Sequence, residues 1–256
     1  MKSSLVTLSC AAAALFTSLG CAAATTPAYV ASSFGSNSIY YLDEDLNPLS
    51  SFAVSDAFPN GVSSDGTLIF AAYFMNSSVV AYDRTGQEQF RWSDPGLYRV
   101  QGIAFVDHYI AAASDDTLYL FDARQGTYTA QLSLGQDSVE GLAYDGHFLW
   151  SIGSTLVARD FVTGAAVKSI PNAASACPMG GTGIAAGAPG TLVLSCSDGR
   201  WFKVLQADGS VLASGQNDID MFDLARIAPV PEPGTAGLAL AGLAALGVVA
   251  RRRRVR

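Results

Sequence analysis

Four short stretches decide the fold: Asn60-Gly61-Val62-Ser63, Gln101-Gly102-Ile103-Ala104, Glu140-Gly141-Leu142-Ala143 and Thr182-Gly183-Ile184-Ala185. Their glycines are separated by 41, 39 and 42 residues. After each glycine the sequence shows a turn and then a second apolar strand, for example at residues 68–73 and 109–113. A repeat of about forty residues that contains several short strands is typical of a β-propeller. The pattern therefore predicts one blade for each repeat.

A third strand in three of these units ends beside an aspartate, and a glycine follows within four residues. The pairs are Asp83 with Gly86, Asp122 with Gly126, and Asp160 with Gly164. In a tight hairpin an aspartate can cap its own backbone while glycine takes the positive-φ position. The spacing thus predicts a hairpin that leads into a fourth strand.

The two ends of the repeat region complement each other. Residues 29–34 and 38–43 match the second and third strands of a unit that lacks a first strand, and residues 221–227 match a strand that has no unit after it. Closing the ring removes exposed sheet edges. We therefore predict an all-β, five-bladed propeller over residues 25–228, in which the C-terminal strand completes the first blade. Residues 29–39 and the third-strand turns resemble quinoprotein-like and NHL-like propellers, a likeness of fold that implies no single function.

The last part of the chain contains three consecutive elements. They are Pro231, Glu232 and Pro233 within a linker at 229–234, an uncharged apolar run at 235–250, and a basic tail at 251–256 that contains Arg251, Arg252, Arg253 and Arg254. As a helix the run would be about 24 Å long, somewhat less than the roughly 30 Å hydrocarbon core. It would span if Arg251 extends to the membrane surface, and the arginines would stay in the cytoplasm.

This order of elements resembles the PEP-CTERM sorting signal of Gram-negative bacteria. The resemblance implies recognition by a membrane peptidase of the exosortase class, with Pro231 to Pro233 and the arginines as the sorting motif. An ordinary single-pass anchor is the alternative. At the other end, residues 1–24 have the basic, apolar and small-residue regions of a signal peptide. We expect an exported protein that is held transiently in the inner membrane and then delivered to the cell surface or outside the cell.

Charge restricts the partners of the exported segment. Residues 25–233 contain nine basic and 22 acidic residues, a net charge of −13. Nucleic acids and anionic membranes attract basic proteins, so an acidic surface argues against both as binding partners. Extracellular polysaccharide and envelope proteins remain candidate partners.

Two cysteines remain once the signal peptide is removed, Cys177 and Cys196. An oxidising compartment favours a disulfide between them. Two buried free thiols are the alternative.

The residue before each innermost strand is expected to line one mouth of the central channel. These residues are Asn60, Gln101, Glu140 and Thr182. Such a ring could bind a cation or a small polar ligand, although a water-filled channel requires a polar lining in any case. We expect no cofactor. Asp43-Glu44-Asp45 is a candidate Ca²⁺ site, although it lacks the regular spacing of a calcium loop.

One stretch suggests catalysis. Residues 139–150 resemble the start of a blade in plant-type glutaminyl cyclases, which implies Glu140 as acid and base. No serine, cysteine or lysine lies in a recognisable nucleophile motif. We therefore expect a non-catalytic binding or structural propeller and name no catalytic residue. A glutaminyl-cyclase-like or lactonase-like enzyme is the alternative.

Overall fold

The strands form five antiparallel sheets of four strands each within the part of the chain that the computed structural model describes, which is residues 26–134, 139–173, 175, 177 and 183–227. The first sheet contains β1 (Tyr29–Ser33), β2 (Ser38–Leu42) and β3 (Pro48–Ala53). The second contains β4 (Pro59–Ser64), β5 (Ile69–Tyr73), β6 (Ser78–Tyr82) and β7 (Glu88–Ser93). The third contains β8 (Gly102–Val106), β9 (Tyr109–Ser114), β10 (Thr117–Asp122) and β11 (Tyr128–Ser133). The fourth contains β12 (Gly141–Tyr144), β13 (Leu149–Ile152), β14 (Thr155–Arg159) and β15 (Ala166–Pro171). The fifth contains β16 (Gly183–Ala186), β17 (Thr191–Ser195), β18 (Arg200–Leu205) and β19 (Val211–Gln216). The last strand, β20 (Asp223–Arg226), joins the first sheet, and a 3₁₀ turn lies at Pro95–Leu97.

The C-terminal strand closes the ring as the sequence predicts. β20 pairs antiparallel with β1, and the register places Tyr29 opposite Arg226 and Ser32 opposite Asp223. The prediction of five blades with a shared first blade is confirmed.

Burial follows the position of each strand within its blade. In the second blade, β5 and β6 are buried along their whole lengths, whereas most residues of the outermost strand β7 are exposed. Each of the five apolar clusters combines residues from two neighbouring blades. Phe70 of the second blade, for example, stacks on Phe105 of the third at 5.9 Å between ring centroids. Each blade therefore buries its apolar faces against its two neighbours, which makes ring closure necessary for the core.

The predicted hairpins after the third strands are also confirmed. Asp83 Oδ1 accepts the backbone N–H of Thr85 at 2.8 Å, and Gly86 has a φ of +85°. Gly126, Gly164 and Gly209 occupy the same position in later blades, with φ between +65° and +76°. In the first blade Leu46 takes this place with a φ of +65°. The turn is thus kept even where glycine is replaced.

The propeller has two faces that differ in what they carry. We call the side on which the innermost strands β4, β8, β12, β16 and β20 end the cavity face. The other side is called the opposite face. On the opposite face, Cys177 and Cys196 form a disulfide with a Cα–Cα distance of 5.5 Å. It ties the segment before β16 to the end of β17.

The membrane predictions fall outside the described residues. These are the signal peptide at 1–24 and the apolar run at 235–250. Where the structure is described, it holds no helix that is long and apolar enough to cross a bilayer.

Candidate functional site

Four glycines and one aspartate surround the propeller axis. Gly102, Gly141 and Gly183 begin their innermost strands, and Asp223 begins β20. Gly61 is the third residue of β4, so Asn60 lies inside that strand and does not precede it as predicted. A Cβ on Gly102 would lie 2.6 Å from the Cα of Gly141, and one on Gly183 would lie 2.7 Å from the Cα of Asp223. Neighbouring backbones are therefore in contact at this level. The repeated glycine seen in the sequence is required by this close approach.

The carboxylate of Asp223 fills the centre of this ring. Its Oδ2 accepts the N–H of Val62 and its Oδ1 accepts that of Leu224, both at 2.9 Å. The N–H groups of Ile103 and Ile184 also donate to it. Asp223 is fully buried, and burial raises its pKa well above the ordinary value, while the four N–H groups act in the opposite direction. One side chain thus connects four of the five innermost strands and seals the axis.

A cavity of about 300 Å³ opens on the cavity face above this seal. Such a volume corresponds to about ten water molecules at roughly 30 Å³ each. Its walls are the innermost strands, each of which pairs with one neighbour only, so that its free edge faces the axis. Small side chains such as Ala104, Ala143, Ala185 and Ala186 leave the space open. The cavity therefore combines apolar walls with backbone polar groups.

Polar side chains surround the cavity at its rim. Asp107 is exposed, whereas Asp65 forms an ion pair with Arg124 at 2.8 Å. The guanidinium of Arg226 donates to the hydroxyl of Tyr29 at 2.8 Å and pairs with Glu44 at 2.6 Å. The positive charges of Arg226 and Arg124 are already compensated by Glu44 and Asp65. The rim therefore favours neutral or cationic ligands over anions.

The ring predicted from the sequence lies at the other mouth. Asn60 is buried, and its amide donates to the carbonyl of Val100 at 3.1 Å. Gln101 and Glu140 are half-buried, and Thr182 lies outside the described residues. None of the three described members lines the cavity. A binding role for this ring stays a prediction.

Glu140 is the member of that ring with unusual chemistry. Its Oε2 is buried and has no hydrogen-bond partner among the described residues. Burial raises the pKa of its carboxyl group. The group is therefore suited to holding a proton at a higher pH than an exposed glutamate.

The candidate calcium segment is engaged in contacts of its own. Asp43 Oδ1 accepts the backbone N–H groups of Asp45 at 2.9 Å and Asn47 at 2.8 Å. Desolvation acts to raise the pKa of Asp43, but the hydrogen bonds from Asn47 and Asp45 together outweigh it, so that the pKa lies below its ordinary value. Asp45 lies 3.7 Å from Lys203. Within the described ranges no three histidine, cysteine or acidic side chains are grouped to hold a metal ion, and Ca²⁺ binding here stays a prediction.

The clearest likeness to known proteins concerns the C-terminus. Residues 229–254 match the family model of the PEP-CTERM protein-sorting motif. The chain carries a PEP-CTERM sorting motif. It indicates an exported protein that an exosortase sorts, as the sequence predicts. Pro231, Glu232, Pro233 and Arg251 to Arg254 all lie within the match but outside the described residues.

Beyond the motif, the comparisons concern shape alone. No curated protein matches the chain. The crystal structure of a protein of unknown function from Bacteroides caccae is similar, with a TM-score of 0.48 and 13% sequence identity. The match covers 75% of this chain and 74% of that one. The NHL-like or quinoprotein-like type of the PEP-CTERM propeller stays a prediction.

Proposed function

We propose that this PEP-CTERM protein is a non-catalytic binding propeller and that the axial cavity is its binding site. The supporting observation is a cavity of about 300 Å³ above a sealed axis. Ligand sites in proteins are typically concave, mostly apolar and equipped with a few polar groups, and their volumes begin at about 300 Å³. The cavity has each of these properties.

The ligand is a small polar molecule without negative charge. Free strand edges and the hydroxyl of Ser63 supply hydrogen-bonding groups, although Ser63 Oγ already accepts the N–H of Phe105 at 2.7 Å. Asp107 contributes negative charge at the rim, while Arg226 is paired with Glu44. Neutral sugars and amino sugars fit these conditions better than uronic acids. After sorting, the protein acts at the cell surface or in the extracellular polysaccharide, with polysaccharide or envelope proteins as its larger partners.

The test is calorimetric titration of the detergent-solubilised full chain with glucose, glucosamine, glucuronate and CaCl₂. Ala186→Leu places a larger side chain at the buried wall of the cavity, and Ala213→Leu makes the same change on the exposed outer strand β19. We expect Ala186→Leu to weaken binding at least about tenfold, equivalent to about 1.4 kcal/mol, and Ala213→Leu to leave it unchanged. Equal affinities in both variants, or no binding of any probe, would overturn the proposal.

Glu140 supports a second candidate, a propeller enzyme of the glutaminyl-cyclase-like or lactonase-like kind. The observation in its favour is the raised pKa of this buried carboxyl group, since a general acid must hold its proton near the working pH. The test is turnover of an N-terminal glutaminyl peptide and of a lactone by the wild type and Glu140→Gln. An enzyme would lose turnover with the fold intact, whereas a binding protein would turn over neither substrate.

A further inference from the structure

The end of the propeller fixes where the sorting motif begins. β20 ends at Arg226 on the cavity face, beside Tyr29. Ile227 is still held, because it is buried and its N–H donates to the carbonyl of Ala28 at 2.9 Å. The match to the sorting motif begins at residue 229. Only residue 228 thus separates the last fixed residue from the motif.

The distance from the propeller to the apolar run is therefore short. Residues 228–234 are seven residues, which reach at most about 25 Å when fully extended at about 3.3–3.6 Å per residue. We infer that the propeller is tethered by its cavity face, so that the axial cavity opens toward the membrane until the motif is cleaved. The inference rests on the predicted span at 235–250 and is independent of whether the cavity binds a ligand.

Charge keeps this face from adhering to the bilayer. The turns that end on the cavity face carry many acidic residues, among them Asp43, Glu44, Asp45, Asp65, Asp83, Asp107, Asp122, Asp145, Asp160 and Asp208. Fewer basic groups lie in these turns or contact them: Arg84, Arg124, Arg159, Lys168, Lys203 and Arg226. An anionic membrane surface repels such a face over a Debye length of about 8 Å at physiological salt. The face is directed toward the membrane without docking on it.

The opposite face is directed away from the membrane in this arrangement. There Phe34 stacks between Phe58 at 4.5 Å and Phe222 at 5.0 Å between ring centroids. Before cleavage this aromatic group, in which Phe58 is exposed, is directed toward large partners.

The experiment measures the distance of each face from the bilayer. The anchored protein is isolated from a host without exosortase and placed in vesicles whose headgroups carry an energy-transfer acceptor. Because Cys177 and Cys196 are joined, an added cysteine is the free thiol of the mature chain. Gln125→Cys, in the turn after β10, carries the donor on the cavity face, and Asn76→Cys, in the turn after β5, carries it on the opposite face. Both positions are exposed.

We expect the donor at position 125 to lie closer to the headgroups by about 17 Å, the length of a five-residue strand at about 3.4 Å per residue. Inserting about thirty Gly and Ser residues after Gly234, with a root-mean-square span of about 30 Å, should abolish this difference. Equal transfer from both positions, stronger transfer from position 76, or transfer from neither would overturn the inference.

Discussion

The carboxylate of Asp223 accepts the backbone N–H of Val62 at 2.9 Å, across 161 residues of sequence. This bond joins the last strand of the chain to the innermost strand of the second blade. It lies at the axis, where glycine occupies the equivalent position in the other four blades. Asp223 therefore completes the ring in two ways, through its backbone in β20 and through its side chain at the centre.

Removing the Asp223 side chain should destabilise the whole propeller. Asp223→Ala would leave the N–H groups of Val62, Leu224, Ile103 and Ile184 without their buried acceptor. An unsatisfied buried donor costs about 1–3 kcal/mol, so we expect a loss of at least about 3 kcal/mol in the free energy of unfolding. Denaturant unfolding measures this loss. A loss within about 0.5 kcal/mol, as for an ordinary surface substitution, would show that these bonds contribute little.

The same carboxyl group should make stability depend on pH. Burial raises the folded-state pKa of Asp223 above the unfolded value, which is about 3.9. Its contribution to stability is therefore fully present below the unfolded pKa and is lost as pH rises through the folded pKa. We expect the stability of the wild type relative to Asp223→Asn to fall as pH increases above about 4. A difference that is constant or increases with pH would contradict the assignment.

The close approach of the glycines predicts a sharp contrast between two alanine substitutions. Gly102→Ala would place a Cβ 2.7 Å from the backbone N of Leu142 in the next blade. Gly190→Ala would meet no atom within 4 Å and would only be strained by its φ of +80°, at a cost of about 1–2 kcal/mol. We expect a larger loss of thermal stability for Gly102→Ala. Equal losses would mean that the axis can expand without cost.

The disulfide should stabilise the fifth blade. Cys177 and Cys196 are 19 residues apart, and closing a loop of this size contributes roughly 3 kcal/mol through the unfolded state. The double variant with alanine at both positions should unfold at a lower denaturant concentration than the oxidised wild type. Reduction should affect the wild type and leave the double variant unchanged. A reduced wild type with unaltered stability would contradict this contribution.

The fold could be predicted from the sequence because the same strand and turn signals recur in every blade. The glycine at each blade start, the aspartate turns and the unpaired strand at 221–227 each correspond to a feature of the structure. The turn at Leu46 was not recognisable from the sequence, because leucine rarely adopts a positive φ, which is +65° here.

The candidate site could be predicted from the sequence only in part. The sequence predicted a binding ring at the residues before each glycine, whereas the cavity lies at the other ends of the same strands. Its walls are alanines and backbone edges, which carry no chemical signature. The one available signal was Asp223, an acidic residue in the position that glycine occupies in four repeats. Leu224 is its neighbour in β20, but the other three N–H donors come from separate blades and are brought to it only by ring closure.

The PEP-CTERM motif implies that this propeller is exported and sorted to the cell surface. Mass-spectrometric mapping of both termini, on protein from membrane, envelope and extracellular fractions of the native host, tests it most directly. We expect an extracellular or surface form that begins near Thr25 and lacks the residues after the Pro231 to Pro233 region, and a Glu232→Gln variant that is processed less. A wild-type chain found only in the inner membrane with Arg256 intact would contradict it.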